Sequence, residues 1–219
     1  TLISFAIGLI VAVAIALIRT AKTPVLEPLA RIYVWIFRGT PALVQLFVIF
    51  FGLPSIGIVI DAFPSAVIAF SLNVGAYASE ALRAAISAVP KGQLEAGLCV
   101  GMSWTQTMFR IVLPQALRNI IPQIGNNFII NIKDTSVLNV IGVTELYYFA
   151  GIIKRQSFET FQTYLVVCVL YFILTFTVTR LLRFVERKLD GNDSYVIFGS
   201  QSDSAAEIRI KTVHCTAFL

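Results

Sequence analysis

Two sets of polar side chains sit at helical spacing inside otherwise apolar stretches. Asn73, Tyr77, Glu80 and Arg83 follow one another at steps of four, three and three. Asn127, Asn131 and Asp134 follow at four and three. In a helix such steps stack the side chains on one face. Lys133, Thr135 and Ser136 extend the second set, with Asn126 and Asn139 beside it. Asn, Tyr, Ser and Thr both donate and accept hydrogen bonds. The chemistry open to these faces is reversible hydrogen bonding to a small polar solute. The candidate solute-facing residues are therefore Asn73, Tyr77, Asn127, Asn131, Lys133, Asp134, Thr135 and Ser136. For Asn73, Asn127 and Asn131 a second reading stands equally, as hydrogen-bonding glue between packed helices. Glu80 and Arg83, three apart, can pair and read as a structural or gating pair. Lys133 and Asp134 are adjacent, so each needs a partner elsewhere.

Bond-making chemistry finds little support. The chain has one histidine, His214, and three scattered cysteines, Cys99, Cys168 and Cys215. No metal site, disulfide framework or catalytic triad follows from them. No nucleophile–base pair stands out, and no GxxxxGK[ST] loop is present to cradle a nucleotide phosphate. The expectation is a non-catalytic chain without a cofactor of its own. Any ATP and Mg would sit on another polypeptide.

The elements that must position these residues follow from composition. Of the 219 residues, 57% are hydrophobic and only 13% charged, with a mean hydropathy of +0.82. A water-soluble fold cannot hide that much apolar surface, so lipid must cover part of it. The expected fold is all-α and polytopic, with about five membrane-spanning helices. Their expected bounds are 2–18, 32–53, 64–89, 120–146 and 161–182. The first run is at the short limit for a span, and the chain is read as starting inside it. Arg38-Gly39-Thr40-Pro41 interrupts the second. Either it is a hinge, or Thr40 caps a helix that starts with Pro41.

The net charge of +5 falls at the ends of apolar runs rather than in a compact patch, which argues against nucleic acid. One set of loops carries Arg19, Lys22, Arg31, Arg38, Lys91, Arg110, Arg118, Arg180, Arg183, Arg187 and Lys188; the other carries Lys154 and Arg155. The positive-inside rule puts the first set in the cytoplasm. The N-terminus is then outside and the C-terminus in the cytoplasm. Segments 54–63 and 148–159 become external links. Residues 1–191 form the membrane domain, and 192–219, rich in Ser and Asp, read as a disordered cytoplasmic tail.

The internal loop 90–118 is far longer than a link between spans requires. Its centre, 93–109, reads as two short helices with a small-residue tip. Gly92 precedes them, Glu95 opens the first, Gly101 allows a sharp turn and Pro114 ends the run. A partner can approach such a tip closely. The competing reading is an amphipathic helix lying on the membrane, which would want Lys and Arg along its polar face. None occurs between Gln93 and Gly101.

The stretch Glu95-Ala96-Gly97-x-x-x-Gly101, continuing to Ile111-x-Leu113-Pro114, resembles the EAA loop of ABC importer permeases. FRGTPALVQLFVIFFGLP, LNVGAYASEALRAAISAVPKGQ, LPQALRNIIPQIGNNFI and KDTSVLNVIGVTEL, in that order, resemble the polar amino-acid branch of that family. The resemblance covers residues 1–191. It implies a coupling helix that docks on a cytosolic ATPase, with Glu95, Ala96, Gly97, Gly101, Ile111 and Pro114 forming the contact and its hinge. Ala is usual where Gly97 stands. It further implies two ATPase subunits, a second permease and an external amino-acid-binding protein as partners, and transport by alternating access. Two other classes of function compete. An ion-coupled transporter or channel would use the buried charges but not the long loop. A non-transporting membrane anchor would use the loop but not the polar faces.

Overall fold

Long apolar runs with few charges dictate the helices. The computed structural model describes residues 1–21 and 24–189, and the expected tail at 192–219 lies outside them. The described residues fold as α1 (Leu2–Ala21), α2 (Leu26–Gly39), α3 (Ala42–Phe47), α4 (Ala62–Ala88), α5 (Lys91–Cys99), α6 (Trp104–Thr107), α7 (Leu113–Asp134), α8 (Leu146–Ser157) and α9 (Thr160–Leu189). The fold is all-α. By length and composition α1, α4 and α9 can each cross a membrane, and two bent helix pairs raise the number to five.

α1 and α4 run parallel and in close contact. Gly8 lies against Val74, Gly75 against Val11, and Ala16 packs with Leu82 and Ala85. Small residues let the two backbones approach, which is how helices associate where lipid removes the hydrophobic drive. A Cβ on Gly75 would lie 2.7 Å from Val11 Cγ1 and 2.9 Å from the Tyr33 hydroxyl. α7 runs antiparallel to α4. Its Ile120 joins the Leu82–Ala85 cluster at one end, and Leu138 and Ile141, in the 3-10 turn that follows it, join Ala66 and Phe70 at the other. Two apolar clusters thus close the ends of the bundle, and the polar faces lie between them.

Several expected boundaries shift. The second span is not one helix. α2 and the segment Ala42–Ile56 meet at 110°. Thr40 does not cap the second piece, and Pro41 precedes its first helical residue, at the N-cap. The Thr40 hydroxyl instead donates back to the Ile36 carbonyl. The fourth span starts earlier than residue 120. Pro114 does not end the run from Trp104; it sits in the first turn of α7 after a widened π turn, Met108–Val112. Pro has no N–H to give and its ring crowds the carbonyl four residues back, and the widened turn absorbs both. Gly92 lies within α5 rather than before it. Segment 148–159 is mostly helical, because the Glu145 carboxylate accepts from the N–H groups of Tyr147 and Tyr148 and caps α8. The same carboxylate accepts from the Tyr171 hydroxyl of α9 at 3.2 Å.

Candidate functional site

The polar faces of α4 and α7 meet. Asn73, Tyr77, Asn127, Asn131 and Asp134 line one cavity of about 330 Å³, together with Thr40, Pro41 and Ala42 from the break after α2. Volumes of this order suit a small-molecule ligand. Tyr77 and Asn127 also line a second cleft of about 450 Å³ that continues past Arg38, Glu80 and Gln123 to Ala88 and Asn119. Ala81, Ala84, Ala85 and Ala88 make room there. The two spaces adjoin at Tyr77 and Asn127 in the α4–α7 groove, and the second extends toward the end that carries α5.

Within the groove the polar atoms differ in how they are satisfied. Asn131 is 5% exposed, yet among the described residues its Oδ1 has no hydrogen-bond partner. A buried acceptor left open is costly unless a ligand or water meets it. Asn127 Oδ1 accepts from Gln123 at 3.4 Å. Asn73 serves as glue as well as lining: its Nδ2 donates to Gln45 Oε1 at 3.0 Å. The sequence reading missed Gln45, which is buried. Its Nε2 donates to the Phe37 carbonyl at 2.9 Å, to the Thr40 carbonyl at 3.0 Å and to the Thr40 hydroxyl at 2.9 Å. These are carbonyls that a helix C-terminus leaves unsatisfied. Gln45 therefore stabilises the break that brings Thr40 and Pro41 to the cavity. A Gln inside a Leu- and Val-rich run was the available signal.

Three of the expected solute-facing residues lie elsewhere. Lys133 is exposed, one residue round the helix from Asp134. Thr135 borders a different, mainly apolar pocket near Ser4 and Phe70, and its hydroxyl donates to the Ile132 carbonyl. Ser136 follows in the 3-10 turn, outside the cavity lining. The helical spacing that unites the set ends with α7 at Asp134, so residues beyond it no longer share the face.

Glu80 and Arg83 are in contact, with Arg83 Nε donating to Glu80 Oε1 at 2.9 Å. Glu80 also pairs with Arg19 of α1, a partner 61 residues away that spacing rules cannot reach. The carboxylate thus bridges two guanidinium groups and ties α1 to α4. Arg38 departs from its expected place among the loop charges. The Tyr33 hydroxyl donates to the Leu72 carbonyl at 2.6 Å, which holds α2 against the middle of α4. The Arg38 guanidinium then lies 5.5 Å from the centre of the Tyr77 ring.

The projecting loop has its own logic. α5 ends in a left-handed Gly101, φ +84°, where the Met102 N–H reaches back to the Gly97 carbonyl. That conformation costs Gly little. Ser103 and Gln106 then cap α6 reciprocally. Glu95 and Ala96 are exposed, Ile111 is half-buried and Pro114 exposed. Gly97 is buried and faces inward, correcting its expected place on the contact surface. A Cβ there would come within 2.4 Å of Thr107 Cγ2, and Thr107 is fully buried. Gly97 is the seat of the α5–α6 packing. Nor is the tip made of small residues alone: Leu98, Val100 and Trp104 are exposed. Exposed apolar side chains on a polar-flanked projection suit a protein contact.

Residues 4–191 match the family of binding-protein-dependent transport system inner membrane components. The chain belongs to this family. It is 47% identical to the L-cystine transport system permease protein TcyB of Bacillus subtilis, over 87% of this chain and 82% of that one. It is 44% identical to the probable amino-acid ABC transporter permease protein PatM of Vibrio harveyi, over 86% and 85% of the two chains. In structure it is similar to an amino acid ABC transporter crystallised with histidines, with a TM-score of 0.82 at 36% identity, over 85% of this chain and 87% of that one. The permease is a membrane protein, and the anchor and ion-coupled readings lose their support.

Proposed function

We infer that this permease forms the translocation path of an ATP-driven importer for polar L-amino acids. One observation carries the reading. The helix that contributes Asn127, Asn131 and Asp134 to the cavity runs on from the projecting loop without a break from Trp104 to Asp134. At about 1.5 Å per residue it is a lever about 45 Å long. Motion imposed on the loop is delivered to the cavity wall, and the π turn at Met108–Val112 is the place for it to flex.

The loop docks on a cytosolic ATPase through Glu95, Ala96, Leu98, Val100 and Trp104. Gly97, Gly101, Ile111 and Pro114 shape and hinge it. Two ATPase subunits bind ATP and Mg, and their closure tilts α7 against α4. The cavity opens outward to receive an amino acid from an external binding protein, then inward along the cleft toward Ala88. A second permease, the same or a homologue, completes the pair. The charge bias of the loops sets the N-terminus outside and the C-terminus in the cytoplasm. Amino-acid transport by the relatives above supports the substrate class. Asn131 Oδ1 and Asp134 supply acceptors for an ammonium group. Glu80, held by Arg19 and Arg83, fixes α1 to α4 as a rigid unit against which α7 moves.

The test is uptake of radiolabelled L-cystine, L-glutamine and L-arginine into proteoliposomes holding the permease, its ATPase and its binding protein. Uptake should require internal ATP and survive an uncoupler. Asn127→Ala and Asp134→Ala should each lower it by about tenfold with insertion unchanged. Uptake that collapses with the ion gradient but not with ATP would overturn the reading.

A further inference from the structure

We propose that Arg38 receives the carboxylate of the carried amino acid, an inference that rests on the transport reading above. Arg38 is exposed to the cleft beside the middle of α4. Tyr77, whose ring it faces, is 11 residues from the end of α4 at Ala88, about 16 Å along the helix. A charge at membrane depth is expensive and persists where it faces a partner or a water-filled path. Arg38 lines the cleft, and among the described residues it forms no ion pair. The carboxylate that lines the cleft with it, Glu80, is already held by Arg19 and Arg83. Its one described contact is the Tyr77 face, which leaves the guanidinium fork available.

The backbone holds Arg38 there. The preceding Phe37 carbonyl accepts from Gln45 Nε2 at 2.9 Å, and α2 ends one residue later at Gly39. A cation suits the last turn of a helix, where the dipole is negative. A guanidinium binds a carboxylate with two parallel hydrogen bonds, which fixes orientation as well as charge. Asp134 and the open Oδ1 of buried Asn131 line the cavity that shares Tyr77 with the Arg38 cleft. A cation and these acceptors converging on Tyr77 match the carboxylate and the ammonium of an α-amino acid zwitterion.

The experiment uses the permease–ATPase complex in detergent, without the binding protein, beside the complete transporter in proteoliposomes. Binding of L-cystine, L-glutamine and L-arginine is compared with that of their α-amides, which keep the ammonium and lose the carboxylate. The wild type should favour each acid that it carries by about tenfold or more. Arg38→Gln should lose about tenfold on the acid and almost nothing on the amide, and Arg38→Lys should recover part of the acid binding. Equal weakening of acid and amide by Arg38→Gln would mean a structural role and overturn the proposal. So would wild-type discrimination retained by Arg38→Gln. Wild-type proteoliposomes that carry none of the three sink the transport reading itself, and this inference with it.

Discussion

Helices α4 and α9 treat the bilayer in opposite ways. In α4, 27 residues long, 56% of the spanning stretch is buried; in α9, 30 residues long, the figure is 6%. Yet the spanning stretch of α9 is the more hydrophobic of the two, and α9 exposes Phe161, Phe172, Phe176, Leu181 and Phe184. The buried face of α4 is built instead from Ala66, Ala69, Ser71, Gly75, Ala76, Ala78 and Ser79. In water the larger apolar side chains would go inside. In lipid the outside is as apolar as they are, so burial is decided by close backbone approach and by polar groups that need partners. Hydrophobicity marks which segments cross; small and polar residues mark which of them form the interior and the path.

Four substitutions test that contrast, from the largest effect to the smallest. Phe172→Asp puts a charge on the exposed face of α9 and should cost about 2.5–3.5 kcal/mol of insertion free energy, read as the inserted fraction in a microsome assay. Insertion at the wild-type level would mean that α9 faces protein or water rather than lipid. Gly75→Val drives a branched side chain into Val11 and the Tyr33 hydroxyl. It should cost about 1–3 kcal/mol, seen as a lower melting temperature in detergent with insertion intact. An unchanged melting temperature would remove close α1–α4 packing from the account. Gln45→Leu keeps the apolar pattern of its segment but strips hydrogen bonds from the carbonyls of Phe37 and Thr40. A loss of about 1–2 kcal/mol should accompany faster hydrogen exchange around residues 37–41; unaltered exchange there would show that Gln45 does not hold the break. Val169→Ala trims an exposed side chain and should stay within about 0.5 kcal/mol of wild type; a larger loss would place that face in a protein interface.

Much of the fold was legible in the chain because lipid imposes a length. α1, α4 and α9 follow from long, mainly apolar runs, and the observed ends of α4 lie within two residues of the expected ones. The projecting loop was legible because Gly101 and the two short helices obey local rules. The polar face joining Asn73 and Tyr77 to Asn127, Asn131 and Asp134 was legible because helical periodicity is local on each helix. Pro114 misled because a π turn can absorb a proline. Thr135 and Ser136 leave the cavity lining because α7 gives way to a 3-10 turn at Thr135, and Lys133 because it lies one residue round α7 from Asp134.

What the sequence determined alone is the set of membrane helices, the projecting loop and the identity of the polar faces, since each depends on neighbours within a few turns. What only the tertiary structure decided is which atoms those faces meet. Arg19 joins Glu80 across 61 residues, Gln45 ties the carbonyls at the break to Asn73, Gly97 lies under Thr107 and Arg38 stands beside Tyr77. These contacts join separate elements, and local periodicity carries no information about the packing that brings them together.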